Sequence, residues 1–202
     1  MVLRYKKAKE ILLSNLNEDC RKFFLQKGCI LELGYCYLID ENLAEAKKNF
    51  GLIKEQDIRA SWALFLISMI EGDIREYPTY FQLRNFFEID LNILIHYFKG
   101  EYAEKIIRYC DFMFTINQEV YKFIGRCLYN NNLEPQAIFF LDKAKNHFRN
   151  DPELHYLLAY IYYTKGDFAS AHKSAQDCLQ ILPKYFPAID LISKMQVKNS
   201  IN

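Results

Sequence analysis

The amino-acid order predicts an all-α fold, an antiparallel helix-pair array with capping helices, and three observations carry that expectation. Hydrophobic residues fill 51% of the 202 positions, enough for a sizeable packed core and too many for a disordered chain. Seven glycines and five prolines are too few for a β-rich, turn-dense architecture. The third observation is a recurrence of small and large residues every 34 positions. Ile124-Gly125 anticipates Leu158-Ala159, Leu128 anticipates Tyr162, Ala137 anticipates Ala171, and Leu141 and Ala144 anticipate Ala175 and Cys178. Near the start, Leu33-Gly34, Tyr37, Ala46, Phe50 and Ile53 keep the same internal spacing.

Each element follows from this pattern. Residues 1–26 form an N-terminal capping region, with a short amphipathic helix at 3–16. A long helix from Glu18 to Ile39 pairs with Leu43 to Lys54, and residues 27–60 are the first repeat. Asp57 to Gly72 is a helix carrying the sole Trp. Ala46 and Ala137 lie 91 positions apart, two periods and 23 residues, so 61–83 is not a whole repeat. Antiparallel helices must alternate in direction, so a return segment is required. Residues 76–81 are the candidate, as a short helix or an extended connection. Residues 84–117 form a degenerate repeat with two possible registers. The strict one places Ala103, Ile107 and Cys110 in the packing slots but puts Asp90 where an apolar residue is usual. The other is shifted by two, on the likeness of Gly100-Glu101-Tyr102-Ala103 to Gly166-Asp167-Phe168-Ala169. Residues 118–151 and 152–185 are the clearest repeats, and 186–202 supply a C-terminal capping helix from Phe186 to Val197.

The physical logic of a repeat is a close-packed helix pair. Small residues at Gly34, Gly125 and Ala159 let the first helix approach the second, whose small residues are Ala46, Ala137 and Ala171. Tyr37, Leu128 and Tyr162 fill the space between turns. Asn131-Asn132 and Gly166-Asp167 are turn sequences. Asp151-Pro152 supplies a cap and a first turn, and Pro183 stops the helix before it.

These placements resemble the tetratricopeptide repeat, a helix pair of 34 residues. The resemblance implies an α-solenoid, a right-handed superhelix whose concave face is lined by the first helix of each repeat. The residues of those helices facing away from the second helix are then the binding candidates: Tyr35, Lys122, Arg126, Tyr129, Tyr156, Tyr160 and Tyr163. Lys122 and Arg126 stand one turn apart and could together meet a carboxylate of a peptide; the competing reading is ordinary solvated helix charge. The tyrosines could stack on a peptide, or serve as fillers in a chain with 15 of them. Family members that hold acidic chaperone tails use a Lys/Asn/Arg clamp. Here Lys122 fits a clamp position, but Arg126 replaces the Asn, and Ile89 and Leu157 occupy polar clamp positions. Chaperone-tail binding is therefore not expected.

Other classes find little support. Basic and acidic residues number 26 and 25, for a net charge of +1, so no general grip on nucleic acid is expected. The four histidines fit no metal-binding motif, and there is no phosphate-cradling glycine loop and no nucleophile elbow. No catalytic residue, metal or cofactor is expected. The start of the chain lacks the apolar run of a signal peptide, and the stretch from Trp62 to Ile70 is too short to span a bilayer. Six cysteines show no C-x-x-C pair, which reads as a reduced, cytoplasmic protein. Phe86-Phe87 and the run Ile89 to Phe98 are apolar nearly all round, as in a helix buried on two sides. No membrane partner is expected, since Arg84, His96 and Lys99 make too sparse a cationic rim. The expected function is non-enzymatic protein–protein interaction, a scaffold or adaptor holding a peptide segment or partner helix on its concave face. The alternative is a self-associating structural component, a homo-oligomer built through residues 61–98.

Overall fold

A computed structural model describes residues 18–98 and 101–199, and these are all-helical, with no strand among them. The expected helix at 3–16 lies outside the described residues. The chain divides into two units, ending at Asn117 and beginning at Gln118.

The first unit holds α1 (Glu18–Lys27), α2 (Ile30–Ile39), α3 (Leu43–Ile53) and α4 (Ile58–Glu71). It continues with α5 (Tyr80–Gln82), a π-helical turn (Leu83–Phe87), α6 (Glu88–Phe98), α7 (Glu101–Ile107) and α8 (Cys110–Ile116). The single long helix expected from Glu18 to Ile39 is instead two. Gly28 adopts φ +65°, and the Gly28 and Cys29 amides donate to the Leu25 and Phe24 carbonyls at 3.3 and 3.0 Å. This bond pair around a left-handed residue terminates a helix. The apolar period runs through Gly28 undisturbed, which is why periodicity alone missed the break.

The same termination recurs at three turns that each join two helices packed as a pair. The second unit supplies two of them, in α9 (Val120–Asn130) with α10 (Glu134–His147) and α11 (Pro152–Thr164) with α12 (Phe168–Ile181). Asn42, Leu133 and Asp167 donate to the carbonyls of Tyr37, Leu128 and Tyr162, each at 2.9 Å. The residue before each donor, Glu41, Asn132 or Gly166, has φ +60°, +61° or +80°. Between Asn132 and Gly166, 34 positions apart, the backbone geometry thus recurs along with side-chain size. Asn42 and Asp167 also cap the following helix, accepting from the Glu45 and Ser170 amides.

Packing inside each pair follows one rule. The small residue of the first helix faces the residue sixteen positions on. A Cβ placed on Gly34 would lie 2.5 Å from the Phe50 ring, and one on Gly125 would lie 2.5 Å from Leu141. In the last pair both members are alanine, and Ala159 and Ala175 share one buried cluster. Glycine accompanies a large partner and alanine a small one. Ala46, Ala137 and Ala171 are fully buried, as the small-residue pattern predicts. In the second unit α13 (Phe186–Asn199) packs on α11 and α12, placing Leu191 and Met195 against that alanine cluster.

In the first unit the return segment is irregular from 73 to 79 and re-enters helix through a capping box between Thr79 and Gln82. The Gln82 amide also donates to Ser61 Oγ at 2.9 Å, which ties the return segment to α4. Within 84–117, Ala103 and Cys110 of the strict register are buried, but Ile107 is partly exposed, as are Lys105 and Tyr109, so burial follows neither register throughout, and the helix breaks between α7 and α8. Leu91, Ile93, Leu94 and Ile95 of α6 are all buried, as expected of a helix covered on two sides.

Asp90, the off-pattern residue of the strict register, is the polar centre of this unit and is 1% exposed. Arg59 donates to its Oδ1. Trp62 Nε1 and the Tyr35 hydroxyl donate to its Oδ2 at 2.6 and 3.0 Å. Burial pushes the carboxyl pKa up, and Arg59, Trp62 and Tyr35 oppose it; with every neighbour donating, the ionised form is the one this pocket accommodates. Arg59 lies between rings, 4.7 Å from the Phe86 centroid and 5.2 Å from that of Tyr35. The π-helical turn widens the chain just before α6, and Phe86 and Phe87 both reach Trp62, at 6.5 and 6.3 Å. Tyr35, expected to face outward as a binding residue, is accordingly corrected: it is 4% exposed. Its hydroxyl is committed to a carboxylate 55 positions away.

Candidate functional site

The second unit brings together most of the residues singled out in the sequence. On α9, Lys122 is 7% exposed. Its ammonium lies 2.8 Å from Asp151, 3.4 Å from Glu119 and 3.7 Å from Glu153. Arg126, one turn on, donates to Glu153 Oε1 at 2.9 Å. Neither cation presents itself to an incoming carboxylate as expected, because α11 already supplies the carboxylates. Asp151 is the N-cap of α11, where Oδ1 accepts from the Leu154 amide at 3.1 Å while Oδ2 takes Lys122. One side chain both starts a helix and ties it to α9. Burial alone would lower the Lys122 pKa, but the hydrogen bond to Asp151 and the three carboxylate charges outweigh it and hold it above the ordinary amine range. Burial likewise opposes ionisation of Asp151, yet Lys122 and the Leu154 amide hold its carboxyl below the usual range.

Beside this ionic group runs a row of rings. Tyr129 meets Tyr160 edge to face with centroids 6.3 Å apart. Tyr160 is 6.3 Å from Tyr156, which in turn lies 5.3 Å from Tyr185. Tyr160 is the open member of the row, 40% exposed. Tyr163 turns elsewhere and packs on Phe168 at 5.8 Å against the alanine cluster. Burial pushes the phenols of Tyr129, Tyr156 and Tyr185 up, so each remains a neutral hydroxyl at neutral pH. Tyr185 was not among the residues singled out, because it sits in the connection after α12, where no helical period marks a face.

No group of three His, Cys, Asp or Glu side chains among the described residues could hold a metal ion. All six cysteines are free thiols. Burial pushes the Cys36 thiol up to about 12 and that of Cys178 up to about 11, so both are poor nucleophiles. No helix among the described residues is long and apolar enough to cross a membrane. No protein-family model matches the chain, and no curated protein matches it.

Proposed function

We propose that the chain is a non-enzymatic interaction module of tetratricopeptide type, a scaffold or adaptor whose second unit holds a peptide segment or helix of a partner protein along α9 and α11. The observation that carries this reading is the ring row from Tyr129 through Tyr160 and Tyr156 to Tyr185, open at its centre. Tyrosine combines a large, rigid apolar area with a polar tip, and it is enriched among the few residues that dominate interface energetics. The ionic group beside the row fixes α9 against α11, so the rings are held in place before a partner arrives. The free thiols fit a reducing compartment such as the cytoplasm.

Selection of peptides from a random-sequence phage library on the purified chain tests this reading. Recovered peptides are expected to lose binding by roughly thirtyfold on Tyr160→Ala, the effect of about 2 kcal/mol typical of an interface anchor. Peptides that bind wild type and variant equally would remove the site from the ring row.

A second reading has one observation in its favour. In the first unit Tyr77, Tyr80 and Phe81, all within five positions, are exposed, Tyr77 by 74%, and exposed aromatics of this kind suit an interface between copies of the chain. Sedimentation velocity over a wide concentration range decides it. A dimer abolished by Tyr77→Ser/Phe81→Ser supports self-association, and a monomer at every concentration eliminates it.

A further inference from the structure

We infer that the partner segment is cationic, carrying an arginine or lysine that lies on the open ring of Tyr160 and pairs with Glu153. The inference rests on the ring row being a docking face, and three observations give it direction. The ionic group beside the row holds two cations, Lys122 and Arg126, against three carboxylates, Glu119, Asp151 and Glu153. Three carboxylates thus gather around Lys122. A partner carboxylate approaching Lys122 would come up against all three acidic groups and find an ammonium already hydrogen-bonded to Asp151 at 2.8 Å.

Glu153 is the accessible member of that group, with its side chain 54% exposed although Arg126 holds one of its oxygens. A carboxylate has about four acceptor positions, so a second donor can be added without displacing Arg126. The rings complete the case. Glu153, Tyr156 and Tyr160 succeed one another along one face of α11, and the π-face of a phenol attracts a cation. Arginine suits this pairing better than lysine, since its planar guanidinium stacks on a ring and presents a fork to a carboxylate. Near Tyr156, Asp190 is paired to Lys194 at 2.6 Å. The chain as a whole carries +1, so a preference for cationic peptides would not come from bulk attraction.

The test uses the full chain and two fluorescent, amidated dodecapeptides with the same Leu and Trp positions, one with arginine and the other with glutamate at every polar position. Anisotropy titrations are expected to show the arginine peptide binding about tenfold more tightly, from a partly exposed cation–π contact and one added ion pair. Glu153→Gln should remove most of that preference and Tyr160→Leu should weaken the arginine peptide alone. Circular dichroism confirms that both variants are folded. Tighter binding of the glutamate peptide, or a preference unchanged in Glu153→Gln, overturns the cationic partner while leaving the docking face standing. Binding of neither peptide at any concentration overturns the docking face and the inference with it.

Discussion

Alanine at position 90 is expected to destabilise the first unit by about 3–5 kcal/mol, the cost of breaking a buried ion pair from one side. The substitution leaves the Arg59 guanidinium, whose side chain is 9% exposed, without its carboxylate. It also removes the acceptor of Trp62 Nε1 and of the Tyr35 hydroxyl. Set against the 5–15 kcal/mol typical of a whole domain, such a loss would leave the unit marginal. Trp62 is the sole tryptophan and sits inside the network, so its fluorescence during urea unfolding reports the change directly. The double variant Arg59→Met/Asp90→Leu should recover part of the lost stability, because replacing a buried pair by apolar groups is often neutral, while Trp62 Nε1 still lacks the acceptor that Asp90 supplied. A loss below about 1 kcal/mol for Asp90→Ala would mean that the carboxylate is not the centre described.

Gly125→Ala is the second large effect expected. In an exposed helix this change would stabilise by about 1 kcal/mol. Here the new Cβ would stand 2.5 Å from Leu141 and 3.3 Å from the Ala137 carbonyl, and backbone cannot yield as a side chain can. Overpacking of this kind costs about 1–3 kcal/mol, so the net change should be a loss. Leu141→Ala alone opens a cavity, at about 2–5 kcal/mol. The double variant rebuilds the Ala159–Ala175 arrangement of the last pair, so its loss should fall short of the sum by at least about 1 kcal/mol. Strict additivity in thermal unfolding would show that the two positions do not share one space.

Much of the helix pairing was legible because it rests on local rules. Gly34 and Gly125 mark close approach, although the side chains they meet, Phe50 and Leu141, lie four positions beyond the alanines the spacing selects, and Asn131-Asn132 and Gly166-Asp167 mark turns whose backbone repeats. Legibility failed where the deciding contact is distant in sequence. Tyr35 lies on a face that periodicity assigns to solvent, yet its partner is Asp90, 55 positions on. The signal was present in Asp90 itself, an acidic residue in an apolar slot, which marks a buried carboxylate in need of donors. Lys122 was misread for a related reason. The period locates its helix face but not the Asp151 cap of the next repeat, 29 positions away, which reaches back to it. Gly28 shows the reverse failure, a local φ that an unbroken apolar pattern conceals.

Partner binding along α9 and α11 is tested most directly by amide chemical-shift mapping. The isotopically labelled full chain is titrated with the arginine dodecapeptide and its backbone resonances are followed. A contiguous set of shifted amides is expected around Arg126, Tyr129, Glu153, Tyr156 and Tyr160, with the first unit unchanged. Shifts gathered instead around Tyr77, Tyr80 and Phe81, with α9 and α11 silent, would contradict it and place recognition on the exposed aromatics of the first unit.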